Sequence, residues 1–145
     1  MERVILSSVI ERPVGEVFAF CTDFRNDALW MPGVLEARQA SPGPVAVGSV
    51  VTHLCSSRGR TVELTYVVAE LELERRLGVK SLSAPFPTEW TVGFEGHEGS
   101  TQLKFTGVVH ARGLAMLAAP SLEVAFQGRA RRGLSSLKAV LEARR

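Results

Sequence analysis

An apolar stripe with helical spacing constrains this chain more than any other feature. Between Gly113 and Arg145, Leu114, Leu117, Leu122, Phe126, Ala130, Leu134, Leu137 and Leu141 recur at three- to five-residue steps. Steps of that size put side chains on one face of an α-helix. Arg131, Arg132, Ser135, Lys138, Glu142 and Arg145 fall mostly off the stripe. Arg144 and Arg145 end the stretch, where the negative end of the helix dipole favours cations. Pro120 interrupts the pattern, and a proline inside a helix removes a hydrogen bond and kinks or splits it. The expectation is a short segment at Leu114–Ala119 and the main helix from about Ser121. Ser121 offers a cap, but no Glu or Gln stands three residues on to complete a capping box. A long helix with one apolar side needs a broad apolar surface to lie on.

The upstream chain supplies that surface as strands. Arg3–Ile10 is short, apolar and β-branched. Pro13 then suits the first turn of a helix in which Val14, Val17, Phe18 and Cys21 share a face and Asp23 marks the end. Phe24–Met31 reads as a second short helical turn, stopped by Pro32-Gly33. Strand-like segments follow at Val34–Ala40, Gly48–Cys55, Arg60–Leu71, Arg76–Leu82, Thr88–Glu95 and Ser100–His110. Alternation places Val62, Leu64, Tyr66 and Val68 on one side, then Trp90, Val92 and Phe94, then Leu103, Phe105 and Val109. Short turns at Ser56–Gly59, Glu72–Arg75 and Gly96–Gly99 join neighbours, so the strands form an antiparallel meander rather than a βαβ sheet.

Composition narrows the functional classes. At 145 residues the chain is read as a single domain, 1–145, large enough to bury a substantial core. A net charge of +2 is too small to imply a nucleic-acid partner. The Arg129, Arg131, Arg132 cluster is read chiefly as a solvated helix face. Two cysteines make neither a disulfide framework nor a metal cluster, and Cys21 reads as a small core residue. There is no secretory signal and no run of about 20 apolar residues, so a reducing cytoplasm and no stable membrane insertion are expected.

The local sequence resembles the START/Bet v 1-like (SRPBCC) superfamily, and within it the polyketide cyclase/dehydrase and lipid-transport branch. Glu11-Arg12-Pro13-Val14-Gly15-Glu16-Val17-Phe18 is similar to the branch's Pro-x-x-x-Val-Phe/Trp opening of the first helix. Asp23 with Trp30-Met31-Pro32-Gly33-Val34 resembles its Asp…Trp-x-Pro-Gly-Val segment. Gly48-Ser49-Val50, the charged stretch Glu70–Leu77 and Gly99-Ser100-Thr101 match in order and spacing, and together these cover nearly the whole chain. The resemblance implies an α+β helix-grip fold. A curved antiparallel six- or seven-stranded sheet wraps the long C-terminal helix, and two short helices follow the first strand. It also implies a cavity between sheet and helix for an apolar or amphipathic small molecule. The superfamily is functionally diverse and offers no shared catalytic residue, so fold alone does not give activity.

The residues themselves carry no catalytic signature. There is no Walker loop, and the glycines of Gly93–Gly99 belong to a hairpin. No nucleophile elbow occurs, and His53, His97 and His110 lack zinc-motif spacing. His97 is a turn residue and His110 a strand end. His53 lies mid-strand, where both parities are mixed, so its face stays open; on the inner face it suits acid–base work or a ligand hydrogen bond. The candidate ligand-binding set is Trp30, His53, Tyr66, Trp90, Phe94, Phe105, Leu122, Phe126 and Arg129. Gly133 sits on the apolar face, an arrangement that suits close approach of the helix to the sheet or room for a ligand. The leading reading is a binder of a lipid, polyketide or isoprenoid-like molecule, with no cofactor and no metal. The alternatives are a polyketide cyclase or dehydratase, and a protein that binds a partner through the long helix. Homodimerisation is left open.

Overall fold

The computed structural model describes residues 2–83, 87–110 and 119–144. The elements are β1 (Glu2–Ile10), α1 (Val14–Thr22), a 3-10 turn (Phe24–Asn26), α2 (Asp27–Trp30), β2 (Val34–Gln39), β3 (Val50–Ser57), β4 (Arg60–Glu72), β5 (Arg76–Ser83), β6 (Thr88–His97), β7 (Ser100–Val109) and α3 (Ala119–Ala143). The strands form one seven-stranded sheet in the order β1-β7-β6-β5-β4-β3-β2, and every pairing is antiparallel. This is the expected α+β helix-grip arrangement. The seven strands lie where alternation and turn chemistry put them. The β3–β4 and β6–β7 hairpins close through Arg58-Gly59 and Glu98-Gly99, all four at positive φ. Such two-residue turns match the right-handed twist of paired strands.

Pro120 is the second described residue of α3, close to the expected start of the main helix at about Ser121. The segment Leu114–Ala119 falls, apart from Ala119, outside the described residues, as does the side chain of Leu122.

The second half of α3 is a close-packed core. Leu134, Leu137 and Leu141 are buried with Ile10, Val17, Phe18, Phe20, Leu77, Phe94 and Leu103. Polar contacts fix this end of the helix. Arg12 donates to the carbonyl oxygens of Glu142 and Arg144, Lys138 donates to the Val9 carbonyl, and the Glu11 N–H donates to Glu142 Oε2 at 2.8 Å. The last carbonyls of a helix have no intrahelical partner, and a guanidinium is well placed to satisfy two of them. Arg144 lies over the Phe20 ring, 5.0 Å from its centroid.

Toward its N-terminal end α3 stands over β7 and α2. A Cβ on Gly107 of β7 would lie 2.6 Å from Phe126 Cζ, so only glycine lets that ring rest on the strand. Gly133 makes its approach to α2 rather than to the sheet: a Cβ there would stand 3.4 Å from Pro32 Cδ and 3.6 Å from Trp30 Cζ3.

Candidate functional site

The site begins with the short helical stretch after α1. Phe24, Asp27 and Trp30 are three residues apart and all buried. Local bonds hold the stretch in place. Asn26 Nδ2 donates to the Phe20 carbonyl at 3.0 Å, the Met31 N–H donates to the Asp27 carbonyl at 2.8 Å, and the Ser56 N–H donates to the Gly33 carbonyl at 2.8 Å. The last bond ties the Pro32-Gly33 turn to β3. A carboxyl group therefore points into the interior, 1% exposed, opposite the middle of β3.

His53 meets it there. Val51, His53 and Cys55 are the inward parity of β3 and all are buried, which settles the face that the mixed sequence left open. His53 Nε2 lies 2.8 Å from Asp27 Oδ2. Among the described residues no hydrogen bond reaches His53 Nδ1, and Asp27 Oδ1 and Trp30 Nε1 are buried without a partner. Tyr66 of β4 packs its ring 5.0 Å from the imidazole, tilted by 52°.

Burial governs the electrostatics. It raises the Asp27 carboxyl above its ordinary value; the His53 hydrogen bond and charge oppose the rise, and Asp23 adds to it. Tyr66 is pushed up to about 12, chiefly by burial, so its hydroxyl is a proton donor at neutral pH. Burial also raises both thiols. The neighbouring Asp27 adds to the effect at Cys21, and the Arg129 charge works against it at Cys55.

In front of the Asp27–His53 pair lies a cavity of about 340 Å³ between the sheet and α3. It is walled by Trp30, Met31, His53, Cys55, Leu64, Tyr66, Trp90, Phe105, Phe126, Ala130 and Gly133. Trp90 and Phe105 stack with centroids 6.4 Å apart, and Phe126 meets Phe105 edge-on at 6.3 Å. Arg129 reaches from α3 to the α2–β2 turn, donating from Nη2 to the Pro32 carbonyl at 2.8 Å. Ala125 and Arg129 are exposed and mark where the cavity meets solvent.

Seven of the nine residues singled out in the sequence border this one space: Trp30, His53, Tyr66, Trp90, Phe105, Phe126 and Arg129. Phe94 does not. It has the inward parity of Trp90, but α1 covers its end of β6, and its ring packs edge-on against Phe18 at 5.2 Å. Leu122 has its side chain outside the described residues. His97 and His110 stand away from the cavity beside Glu95 and Glu89. The sequence reading overlooked Asp27, although the Phe24, Asp27, Trp30 spacing puts a carboxyl on an apolar face. Among the described residues, no three His, Cys, Asp or Glu side chains cluster as a metal site.

Fold and site together define a helix-grip domain with an aromatic-walled cavity and one buried acid–imidazole pair. The chain belongs to the polyketide cyclase / dehydrase and lipid transport family, whose model matches residues 1–142. A search of the curated proteins finds no match. Solved structures share the fold at low identity. A START superfamily protein from Mycobacterium smegmatis superposes with a TM-score of 0.83 at 12% identity, covering 98% of both chains. The Zhui aromatase/cyclase from Streptomyces sp. R1128 gives 0.80 at 17% identity, over 97% of this chain and 93% of its own. A protein from Thermus thermophilus gives 0.80 at 16%, over 97% of both chains.

Proposed function

We propose that this protein binds a hydrophobic or amphipathic small molecule, of lipid, polyketide or isoprenoid type, between the sheet and α3. The observation that carries the reading is the contrast between the two ends of one interior. Around Leu137 and Leu141 side chains fill the space, whereas around Phe126 about 340 Å³ is left open inside aromatic walls. Natural cores are close-packed, and ligand pockets are apolar clefts of roughly this size with a few polar groups to fix orientation. Trp30, Trp90, Phe105 and Phe126 supply the apolar contact; His53, Tyr66 and Arg129 supply the polar groups. Two free cysteines fit a reducing, cytoplasmic setting.

The test is titration with anilinonaphthalene sulfonate, together with native mass spectrometry of the purified protein. A one-to-one complex with the dye, displaced by fatty acids or polycyclic aromatics, supports the reading. No saturable binding of dye, lipid or aromatic probe contradicts it.

An enzyme that transforms the bound molecule is the second reading, favoured by the buried Asp27–His53 pair, whose imidazole borders the cavity. The burial of Leu134, Leu137 and Leu141 argues against the third, in which the α3 stripe docks a partner protein.

A further inference from the structure

The face of the sheet turned away from α3 carries a second recess. Thr91 and Thr106 line it, whereas their strand neighbours Trp90 and Phe105 line the cavity, so the two spaces lie on opposite faces. The recess is a trough of about 490 Å³. Its floor follows one row of the register across four strands. Ser7 of β1 pairs with Lys104 of β7, Lys104 with Gly93 of β6, and Gly93 with Arg76 of β5. Packing requires glycine at Gly78 and Gly107, where a Cβ would stand 3.1 Å from Glu70 Cβ and 2.6 Å from Phe126 Cζ. Gly93 has no such reason. A Cβ there would meet nothing nearer than the Lys104 carbonyl oxygen at 3.9 Å, its φ is not positive, and both its pairings run without a bulge. A strand glycine free of those constraints leaves bare backbone that a ligand can approach closely.

The walls add cations and hydroxyls. Arg75, Arg76 and Lys104 line the trough against one carboxylate, Glu95. Arg76 pairs with Glu70 at 3.1 Å, and Glu95 lies 3.5 Å from His97 Nε2. Among the described residues no carboxylate pairs with Arg75 or Lys104. The Ser7, Thr91 and Thr106 hydroxyls border the same space, and each can donate one hydrogen bond. A carboxylate would bring one charge and two oxygens to this set. A phosphate monoester brings a charge of about −1.5 to −2 and three strong acceptor oxygens, a closer match to two unpaired cations and three hydroxyls. Ile5, 55% exposed and paired with Thr106, offers an apolar contact at the rim for the organic part. We infer that this trough binds a phosphate monoester on the outer face of the sheet. Arg75 and Lys104 hold the phosphate, the hydroxyls donate to its oxygens, and Gly93 admits it to the backbone. A soluble phosphorylated small molecule and the headgroup of an anionic lipid both present that chemistry.

The test has two arms. In one, amide NMR spectra of the full chain are followed during titration with glycerol 3-phosphate. In the other, the protein is sedimented with phosphatidylcholine vesicles with and without phosphatidic acid, which carries the same group on a lipid. Saturable shifts at Gly93, Lys104 and Thr106 in the first arm support the inference with a soluble source. Sedimentation that requires phosphatidic acid supports it with a lipid source. Lys104→Ala and Arg75→Ala should each weaken binding at least about tenfold, as expected for loss of a hydrogen bond to a charged group. Gly93→Thr is the sharper variant. Threonine suits an open strand position, so this protein should melt at or above the wild-type temperature. Its side chain fills the floor, so binding should again fall at least about tenfold. Dye affinity of the inner cavity should stay at the wild-type level, which keeps this outcome separate from the cavity reading. A specific response in neither arm overturns the inference; shifts that sodium chloride reproduces at equal ionic strength, or sedimentation equal without phosphatidic acid, are not specific. Undiminished binding in all three variants, each shown by its melting curve to be folded, overturns it as well.

Discussion

Asp27 sits where a carboxylate is costly, and its protonation is therefore tied to folding. Burial raises its folded-state value above the ordinary 3.8, so folding favours the protonated form. A raised carboxyl stabilises the fold fully below its unfolded value, and that contribution is lost as pH rises through the folded one. Asparagine does not titrate and escapes this loss. The difference in melting temperature between Asp27→Asn and wild type should thus move in the variant's favour between about pH 4 and pH 7. Thermal melts across that range check it; a difference moving the other way would contradict a burial-driven shift. His53 and Asp27 also show what one sequence conveys at this scale. The strand holding His53 was readable, but Val50, Thr52 and Leu54 are as apolar as the opposite parity. Only the α2 carboxyl facing β3 distinguishes the sides, and that contact spans 26 residues.

At the scale of elements, α3 depends on a glycine at one end and an arginine at the other. Gly107→Ala puts a Cβ against Phe126 and should cost about 1–3 kcal/mol, the usual range for overpacking. Phe126→Leu should recover much of that loss, because the clashing atoms are the far edge of the ring. Urea unfolding of both single variants and the double variant tests the coupling, and strictly additive losses would show that the contact is not responsible. Arg12→Ala removes the donor to the last α3 carbonyls and should cost on the order of 1 kcal/mol, with faster amide hydrogen exchange confined to the last turns. The extent of α3 was legible from its stripe because its apolar spacing persists past Pro120. The described helix starts at Ala119, close to where Pro120 led the sequence to put it. The clamp by Arg12 was not legible, since it joins residues 130 apart.

Over the whole molecule, strand alternation fixed the sheet and its inner face, and most cavity-wall residues follow from that face. Alternation cannot say which length of an inner face is filled. Phe94 and Trp90 share parity, yet α1 covers one and leaves the other open. Stability should reflect this division. Leu137→Ala, in the filled half, should cost about 2–5 kcal/mol, whereas Phe126→Ala, on the cavity wall, should cost less than the roughly 3–5 kcal/mol of a fully packed phenylalanine. Equal losses in denaturant melts would mean that the cavity wall is core. The most direct test of the central claim fills the cavity. Ala130 borders it, so Ala130→Phe should occupy the open volume. The expected result is a folded variant, melting at or above the wild-type temperature, whose affinity for anilinonaphthalene sulfonate falls at least about tenfold, a loss of roughly 1.4 kcal/mol. Undiminished dye affinity in a folded Ala130→Phe protein would contradict the claim that the space between sheet and α3 is the binding site.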